Sequence, residues 1–402
     1  MSETVMAAKN DKLIVSASPH ITRNRTTRGI MLDVCIALVP AIAAAVVFFG
    51  ITALTMVGIC IAACVSSEFL FTIIRKGGVP FKKGWLEKAK KNAADSSIKD
   101  CSAVVTGILL ALNLPVILKE GGKLSGIFDL SGVDLGMTFA VCIVGSVFAI
   151  VIVKMLFGGI GKNFANPAMT ARIFLVLTFA VLTKPAVNLL MGDAATGATW
   201  LTEIHKTTDA VANPNLLDLF LGVKNSAAVG EVSVLALLIG GAYLCIRKVV
   251  DPRLPLMIIG SVAVFSFLLS CINFDKAAEG WTYTGFDYKV ILPSIMSGGL
   301  FLGAIFMATD YSSSPNTKWG NMLYGFAMGL LITLFRKFSE FPEGVSFAIV
   351  IMNILTPLID KYIVPIPFGK KGQKKPKLKR PKAERYGGKD EKNNPEAEKG
   401  AA

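Results

Sequence analysis

The sequence predicts an all-α polytopic membrane protein with about ten transmembrane helices and an internal pseudo-symmetry. Hydrophobic residues fill 53% of the 402 positions and charged residues only 17%, with a mean hydropathy of +0.57. These values lie far from those of a soluble domain. Apolar runs of about 18 residues or more recur along the chain, each long enough to cross the hydrocarbon core as a helix. Because these runs are unbroken, a β-barrel is excluded.

Ten apolar runs are the candidate helices, and together they define a transmembrane domain over residues 30–364. A segment of 29 residues precedes this domain and residues 365–402 follow it. The predicted helices lie near residues 30–49, 51–73, 102–118, 136–157, 169–191, 231–249, 254–272, 290–309, 319–337 and 345–364.

Basic residues alternate between the predicted connections and indicate which side of the membrane each one faces. Cytoplasmic loops of membrane proteins are enriched in lysine and arginine. Such residues concentrate before the first helix, in the second connection, and in or beside the fourth and sixth connections; examples are Arg25, Lys82, Lys162 and Arg247. We therefore expect both termini in the cytoplasm and the loop 192–230 outside. The polar N-terminus has no early apolar core with a small-residue cleavage site, so no cleaved signal peptide is expected.

The C-terminal tail carries much of the formal net charge of +14. From Lys361 onward there are 13 lysines and arginines against 5 acidic residues, a net charge of +8, among many Lys, Pro and Gly residues. Such a composition predicts a basic, disordered cytoplasmic tail. Its position beside the last helix favours anionic membrane lipid or an acidic partner subunit over nucleic acid.

A weak internal repeat accounts for the predicted pseudo-symmetry. The pairs Asn166–Pro167 and Ser314–Pro315 each join two apolar helices, and ALNLP near residue 111 is similar to MNILTP near residue 352. The Asn-Pro/Ser-Pro pairs and the ALNLP/MNILTP segments occur in different order in the two halves of the chain. The sequence alone therefore does not align one half with the other.

The content of cysteine and histidine bears on metal centres. The seven cysteines lie mostly inside predicted helices without a Cys-x-x-Cys pair, and only two histidines exist. The pattern is typical of packed thiols, and no metal site is predicted.

Four stretches carry the most distinctive chemistry: DAATGATW from Asp193, FGGIGKNFANPAMTARIF from Phe157, MATDYSSSPNTKWGNM from Met307 and FPEGVSFAIVIMNILTPLID from Phe341. They resemble the D subunit of the Rnf complex, the respiratory ferredoxin–NAD oxidoreductase of bacteria. SPHITRNRTTRGIMLDVCIALVPA and DCSAVVTGILLALNLP extend the resemblance over most of residues 18–362. The related B subunit of the sodium-pumping NADH:quinone reductase shares its flavin attachment.

The resemblance implies FMN bound covalently to Thr199 through a phosphoester. The attachment pattern of the family is an aspartate, two variable residues, Ser or Thr, Gly, Ala and the modified threonine. In this chain Asp193, Thr196, Gly197 and Ala198 precede Thr199 in that order. The small side chains suit entry into the cleft of a flavin transferase, and the tether leaves the ring free for electron transfer. The alternative is an unmodified loop of small residues.

Ionisable residues in or at the ends of predicted helices are candidates for ion coupling. A charge at the centre of a spanning helix costs roughly 2.5–3.5 kcal/mol on insertion scales. We single out Asp310 and Lys154, because Asp310 interrupts an apolar run within ATDYSSSP and suggests a broken helix there. For each residue of the wider set the alternative is snorkelling to the headgroups or fixing of helix registry; the other members are Asp33, Glu68 and Arg172.

The glycine-rich stretch FGGIGKNFANP permits close backbone approach at Gly158, Gly159 and Gly161, while Asn163 and Asn166 offer amide groups. Its spacing is not that of a dinucleotide-binding fingerprint. A tight cytoplasmic hairpin and a ligand site are equally compatible with it. The resemblance adds a second, non-covalent flavin, riboflavin, near the cytoplasmic side.

Three functions follow from these observations. The first is a subunit of a redox-driven sodium or proton pump in the bacterial inner membrane, which assembles with the other Rnf subunits. The second is the quinone-reductase version of the same subunit, although that family usually has a longer N-terminal extension. The third is a passive channel or solute transporter without flavin, which an absorption spectrum would distinguish.

Overall fold

In the residues that it describes, the computed structural model is helical apart from one pair of short antiparallel strands and one isolated bridge. It describes residues 26–75, 100–119, 127–128, 131–179, 182, 216–222, 228–231, 233–275, 280–283, 285–286, 288–339 and 344–363. The helices are α1 (Thr27–Phe49), α2 (Ile51–Arg75), α3 (Ser102–Leu112), α4 (Leu135–Val147), α5 (Pro167–Thr178), α6 (Leu216–Leu221), α7 (Val234–Ile246), α8 (Arg253–Leu269), α9 (Ile291–Met296), α10 (Leu300–Leu302), α11 (Lys318–Phe338) and α12 (Val345–Tyr362). The chain clusters into two units, Met1–Ile363 and Val364–Ala402, and every described residue belongs to the first.

Two helices continue as π-helical segments, and a short 3₁₀ turn precedes a third. Phe148–Met155 extends α4, Gly303–Met307 extends α10, and Tyr288–Val290 leads into α9. A π-helical turn widens the backbone and is frequent at functional sites. The strands β1 (Ile272–Asp275) and β2 (Gly280–Tyr283), which lie between α8 and α9, pair antiparallel. They are a local exception to the all-α prediction.

Side-chain caps set where several helices begin. The hydroxyls of Thr26, Ser233 and Thr317 accept from backbone N–H groups of the first turns of α1, α7 and α11. Asn166 does the same for α5, where Pro167 occupies the first helical position. Each cap satisfies a backbone donor that the helix itself leaves unpaired.

Small residues allow close approach of helix backbones. A Cβ added to Gly240 on α7 would lie 2.1 Å from the carbonyl oxygen of Ala37 on α1, and one on Gly107 of α3 would lie 2.9 Å from Cα of Ile61 on α2. Large side chains such as Val39 and Val47 are exposed on the outside of the bundle. Small residues at helix contacts and an apolar outer surface are typical of membrane helices.

Each of the ten predicted segments contains a helix, but the described helices differ in length. Four are long and apolar enough to cross a membrane, α1, α2, α4 with its π-helical segment, and α12; a bent pair makes a possible fifth. Shorter apolar helices are α3, α5, α7 and α8. Ten spans and the pseudo-symmetry therefore stay predictions. Helix α3 ends at Leu112, earlier than predicted, and the chain beyond it forms an isolated bridge between Leu118 and Val133.

The predicted break near Asp310 lies elsewhere. The bent pair consists of Tyr288–Met296 and Leu300–Met307, which meet at 63°. Gly298 and Gly299 adopt φ values of 68° and 66° in the interruption, a region that side chains with a Cβ disfavour. The helix therefore breaks at 297–299, and Asp310 lies in the turn that follows the second half.

Contacts between the connections fall into two sets. The N–H of Ile51 donates to the carbonyl of Ile127, and that of Gly230 donates to Leu112, each over 2.7 Å. These contacts join the first connection to the third, and the fifth connection to the end of α3. In the other set, the Tyr311 hydroxyl donates to the carbonyl of Val249. The side chains of Asn316 and Asp360 also bond over 3.1 Å, which joins the eighth connection to the end of the last helix.

Candidate functional site

The residues predicted from the flavin-attachment pattern lie outside the described residues: Asp193, Thr196, Gly197, Ala198 and Thr199. The predicted disordered tail from residue 365 and the N-terminal segment up to residue 25 lie outside them as well. Both ion-coupling candidates, Lys154 and Asp310, are described and belong to different hydrogen-bonded clusters.

Lys154 belongs to a buried cluster of three polar side chains from three helices. Its ammonium donates to Oε2 of Glu68 over 2.8 Å and to Oγ of Ser102 over 2.7 Å. The side chains of Lys154 and Glu68 are only 2% and 0% exposed. Snorkelling is therefore wrong for Lys154, because the ammonium turns inward to a carboxylate.

The pair lies among apolar residues where three helices meet. Lys154 lies on the π-helical segment, Glu68 is two turns before the end of α2, and Ser102 begins α3. A separate cluster of buried apolar residues, which includes Cys64 and Ile150, packs on the same helices. In such surroundings an uncompensated charge costs roughly several kcal/mol, and the pairing of the two side chains offsets part of that cost.

A second cluster joins three elements through Arg172 of α5. Its Nη1 donates over 2.8 Å both to Oε1 of Glu231 and to Oδ1 of Asn113. The Asn113 amide in turn donates to the carbonyl of Leu109 over 2.6 Å and contacts the sulfur of Met307 at 3.6 Å. Arg172 is 6% and Glu231 4% exposed, so a snorkelling role is wrong for Arg172 too.

The break between α9 and α10 lies between two buried charges. The guanidinium of Arg336 on α11 donates to the carbonyls of Ser294 (2.5 Å), Ser297 (2.9 Å) and Gly298 (3.3 Å). On the other side of the break, an added Cβ at Gly299 would lie 2.3 Å from Oε1 of Glu231. A cation thus faces the carbonyl end of one half-helix, and an anion faces the amide end of the next, as the helix dipoles favour.

Asp310 organises the turn after the second half-helix. Its Oδ2 accepts from the hydroxyls of Ser312 (2.7 Å) and Ser313 (3.3 Å), and its own carbonyl accepts from the N–H of Ser314 (3.1 Å). The carboxylate is half-buried. It is therefore placed by its neighbouring serines at the end of a π-helical segment.

An asparagine-rich network connects the glycine-rich connection to the last helix. The amide of Asn166 donates to the carbonyl of Met307 over 3.2 Å. The hydroxyl of Tyr324 and the side-chain amide of Asn353 lie 2.6 Å apart. The Asn353 amide satisfies its neighbours when its nitrogen faces Tyr324 and its oxygen accepts from the N–H of Asn166 over 3.1 Å. All these side chains are buried.

The glycine-rich connection is a tight hairpin with positive φ at Gly158, Gly159 and Gly161. The rings of Phe157 and Phe164 lie 4.8 Å apart and are half exposed. The buried Oδ1 of Asn163 has no hydrogen-bond partner within the described part of the chain. The tight turn is confirmed, whereas its cytoplasmic side stays a prediction and the ligand-site alternative stays open.

Asp33 near the start of α1 makes a more exposed pair with the end of α7. Its Oδ1 accepts from the hydroxyl of Tyr243 and from Nη2 of Arg247, each over 3.1 Å. The hydrogen bond to this carboxylate raises the pKa of Arg247 above its ordinary value. The Arg247 side chain is 55% exposed, so the pair ties two helix ends with little energy.

Sequence reasoning missed Glu231, Asn113 and Arg336. Glu231 and Arg336 lie at the ends of predicted apolar runs, where a charge is ordinarily placed at the headgroups. The signal that could have found Glu231 was Arg172, whose buried charge required an acidic partner. Among the described residues, no group of three or more His, Cys, Asp or Glu is arranged to hold a metal ion.

Comparison with known proteins identifies similar chains. The model of the NQR2, RnfD, RnfE family matches residues 14–128 and 130–369. The chain is 36% identical over 351 residues to the D subunit of the Na(+)-translocating ferredoxin:NAD(+) oxidoreductase complex of Acetobacterium woodii, covering 87% of this chain and 93% of the relative. It is 32% identical over 370 residues to the D subunit of the proton-translocating ferredoxin:NAD(+) oxidoreductase complex of Clostridium ljungdahlii, covering 90% and 97%. The D subunit of the ion-translocating oxidoreductase complex of Shigella boydii is 28% identical over 390 residues, covering 88% and 98%.

Proposed function

Because the chain belongs to the NQR2, RnfD, RnfE family, we propose that it is the D-type membrane subunit of an ion-translocating ferredoxin:NAD oxidoreductase complex. The observation that carries this proposal is similarity to D subunits over nearly the full length of both chains. The buried charge clusters support it. Ionisable residues inside spanning helices are costly, and where they occur they often mark ion or proton paths. Ferredoxin and NAD would react on partner subunits.

The subunit carries FMN on Thr199 in this proposal. The support is the complete attachment pattern, in which Asp193, Thr196, Gly197 and Ala198 precede Thr199. A flavin transferase would join the threonine hydroxyl to the phosphate of FMN during maturation. The covalent bond prevents loss of the flavin from an outward-facing loop, and the ring passes electrons between neighbouring centres.

The protein spans the bacterial inner membrane ten times, with both termini in the cytoplasm. This orientation is supported by the alternation of basic loops. It also agrees with the contacts in the structure, which form one set at the odd-numbered connections and a separate set at the even-numbered ones. Cysteines introduced at residues 205 and 90 test it: the first should react with an impermeant maleimide from outside, the second only from the cytoplasm. The reverse pattern would also remove the proposed flavin loop from the outer face.

Riboflavin is proposed as a second, non-covalent flavin at the glycine-rich hairpin. The hairpin offers two partly exposed aromatic rings, Phe157 and Phe164, which suit stacking with a flat ligand. It also offers the buried Oδ1 of Asn163, an acceptor for a ring N–H group. Acid extraction of the purified complex should release riboflavin from wild type, and less from Asn163→Ala.

The proposed function is tested with the complex reconstituted into liposomes. Reduced ferredoxin should then reduce NAD and drive cation uptake, and a complex prepared without this chain should lose both activities until the chain is restored. Full activity without the chain would reject the proposal. NADH-driven quinone reduction would favour the quinone-reductase version, and solute flux by a flavin-free chain would favour a passive transporter.

A further inference from the structure

The seam between α8 and α11 brings the starts of two helices to the same end of the protein. A Cβ added to Gly325 on α11 would lie 3.0 Å from Cβ of Met257 on α8. One turn later on both helices, a Cβ added to Gly329 would lie 2.8 Å from Cβ of Ser261. The helices therefore run parallel, and both begin at the end that the proposed topology places in the cytoplasm.

Two basic side chains lie at the start of this seam. Arg253 precedes Met257 by one turn on α8, and Lys318 precedes Gly325 by two turns on α11, so each continues the row of residues that faces the other helix. Both are exposed. Arg253 approaches the exposed Asp251 only to 3.9 Å, and Lys318 has no ion pair within the described part of the chain. An exposed pair at that distance is weak, so both charges are accessible to a ligand.

The helix starts add positive potential at the same place. A helix start favours negative charge, yet neither α8 nor α11 has an acidic residue in its first turn. Each carries a basic residue there instead, Arg253 or Lys318. Two parallel helix dipoles and two cations thus lie together, and an anion bound between them would relieve this excess of positive charge.

Aromatic and apolar side chains continue the seam away from the basic pair. Trp319 is 73% exposed, and Phe326, two turns later on the same row of α11, is 45% exposed. The ring of Phe326 lies 5.2 Å from that of Phe265 on α8. Tryptophan is typical of the membrane–water interface. The seam therefore presents a basic rim, an interfacial aromatic and an apolar length in that order, as the headgroup and chains of a phospholipid require.

We propose that the start of the seam between α8 and α11 binds one anionic phospholipid of the bilayer, with Arg253 and Lys318 on its phosphate and Trp319 beside its headgroup. An acyl chain lies along the seam past Phe326. Basic pockets between membrane helices on the cytoplasmic side bind anionic headgroups in this way. An acidic segment of a partner subunit would match the two charges but not the apolar length that follows them. The site requires a membrane protein, and it does not depend on the electron transfer of the proposed function.

The stability of the purified complex in a neutral detergent tests the site. Phosphatidylglycerol should raise the unfolding temperature of wild type more than phosphatidylcholine does, as expected for a ligand of the folded state. In Arg253→Gln/Lys318→Gln the concentration of phosphatidylglycerol needed for the same rise should increase roughly 30-fold, because each basic residue near a membrane surface contributes about a factor of five. The response to phosphatidylcholine should not change.

Arg28→Gln/Arg75→Gln is the matched control. It removes two exposed basic residues of α1 and α2 near the same predicted membrane face and leaves the C-terminal tail in place. This variant should respond to phosphatidylglycerol as wild type does. An equal loss of response in both double variants would show a general attraction between basic residues and anionic lipid, and the site at the seam would be rejected.

The soluble headgroup glycerophosphoglycerol distinguishes a lipid from a free phosphate compound. It should stabilise wild type far less than phosphatidylglycerol does, since it lacks the chains that the seam holds. Equal stabilisation by this headgroup, or by inorganic phosphate, would assign the basic pair to a soluble anion and contradict the proposal.

The composition of the purified complex tests the rival occupant. Arg253→Gln/Lys318→Gln should retain every subunit that wild type retains. Loss of a partner subunit from this variant would assign the seam to an acidic partner and reject the lipid site. Because none of these measurements uses ferredoxin or NAD, failure of the lipid site is distinguishable from failure of the proposed function.

Discussion

The ammonium of Lys154 lies 2.8 Å from a carboxylate oxygen of Glu68, and the two residues are 86 positions apart in the sequence. Both side chains are almost completely shielded from solvent. The pair joins the π-helical continuation of α4 to α2, and Ser102 at the start of α3 accepts a further hydrogen bond. Three helices thus meet at one buried, hydrogen-bonded ion pair.

Removing one member of this pair should harm the protein more than removing both. Lys154→Met removes the ammonium that faces the buried Glu68 carboxylate, and breaking a buried ion pair in this way costs about 3–5 kcal/mol. The double variant Lys154→Met/Glu68→Leu removes both charges and should recover most of that loss. Thermal unfolding of the purified complex measures the difference. Equal destabilisation in the single and double variants would show that the ion pair is not the cause.

The same double variant tests ion coupling. We expect ferredoxin-dependent NAD reduction to be spared more than cation uptake into liposomes, because in the proposed function electrons pass through the flavin and not through this pair. An equal loss of both activities in a well-assembled complex would contradict a coupling role for Lys154.

Asp310→Asn should distinguish the effect of the negative charge of Asp310 from the role of its side chain in holding the turn. The amide oxygen of asparagine still accepts from Ser312 and Ser313, so the turn should lose no more than about 1 kcal/mol. Asp310→Ala removes both side-chain hydrogen bonds and should cost more. If the negative charge contributes to coupling, Asp310→Asn lowers cation uptake per NAD reduced. A ratio equal to that of wild type would limit Asp310 to holding the turn.

Gly299→Ala should damage the break in the helix. Gly299 has a φ of +66°, and an added Cβ would lie 2.3 Å from the Glu231 carboxylate, so the left-handed backbone alone costs roughly 1–2 kcal/mol and the clash adds to it. Gly260→Ala on α8 is the matched control, because its Cβ would meet nothing within 4 Å. It should be neutral or slightly stabilising. Comparable unfolding temperatures for both variants would argue against close packing of Glu231 on the break.

The basic tail should be dispensable for electron transfer. Truncation after Tyr362 removes a segment with no apolar pattern to pack, and we expect its positive charge to help only membrane or partner association. We expect unchanged flavin content and NAD reduction, with weaker binding to vesicles of anionic lipid. Loss of activity in a truncated complex that still assembles would reveal a further role.

The helix positions were predictable from sequence because apolar runs are long and the caps are local. Thr26, Asn166, Ser233 and Thr317 each begin a helix close to the predicted start. The interruption at 297–299 was not predicted, because two adjacent glycines inside an apolar run are compatible with a continuous helix as well as with a broken one. Its place depends on Arg336, which comes from a distant helix.

Charge pairs were only half predictable. Lys154 and Arg172 were recognised as unusual because a charge within an apolar run is costly. Glu68 was recognised as well, but its pairing with Lys154, like that of Glu231 with Arg172, follows from tertiary packing alone, at separations of 86 and 59 positions. The attachment pattern at Thr199, by contrast, is contained in seven consecutive residues and can be assigned from sequence, although it lies outside the described structure.

Covalent flavin on Thr199 is the central claim, and in-gel fluorescence of the denatured subunit tests it most directly. The chain is produced together with a flavin transferase and separated on a denaturing gel, where a flavin bound without a covalent bond is lost. The account predicts a fluorescent band for wild type and none for Thr199→Ala, with at most a weaker band for the matched control Thr196→Ala and some flavin on Thr199→Ser, which keeps a hydroxyl nucleophile. A fluorescent Thr199→Ala band, or a wild-type band without flavin, would contradict it.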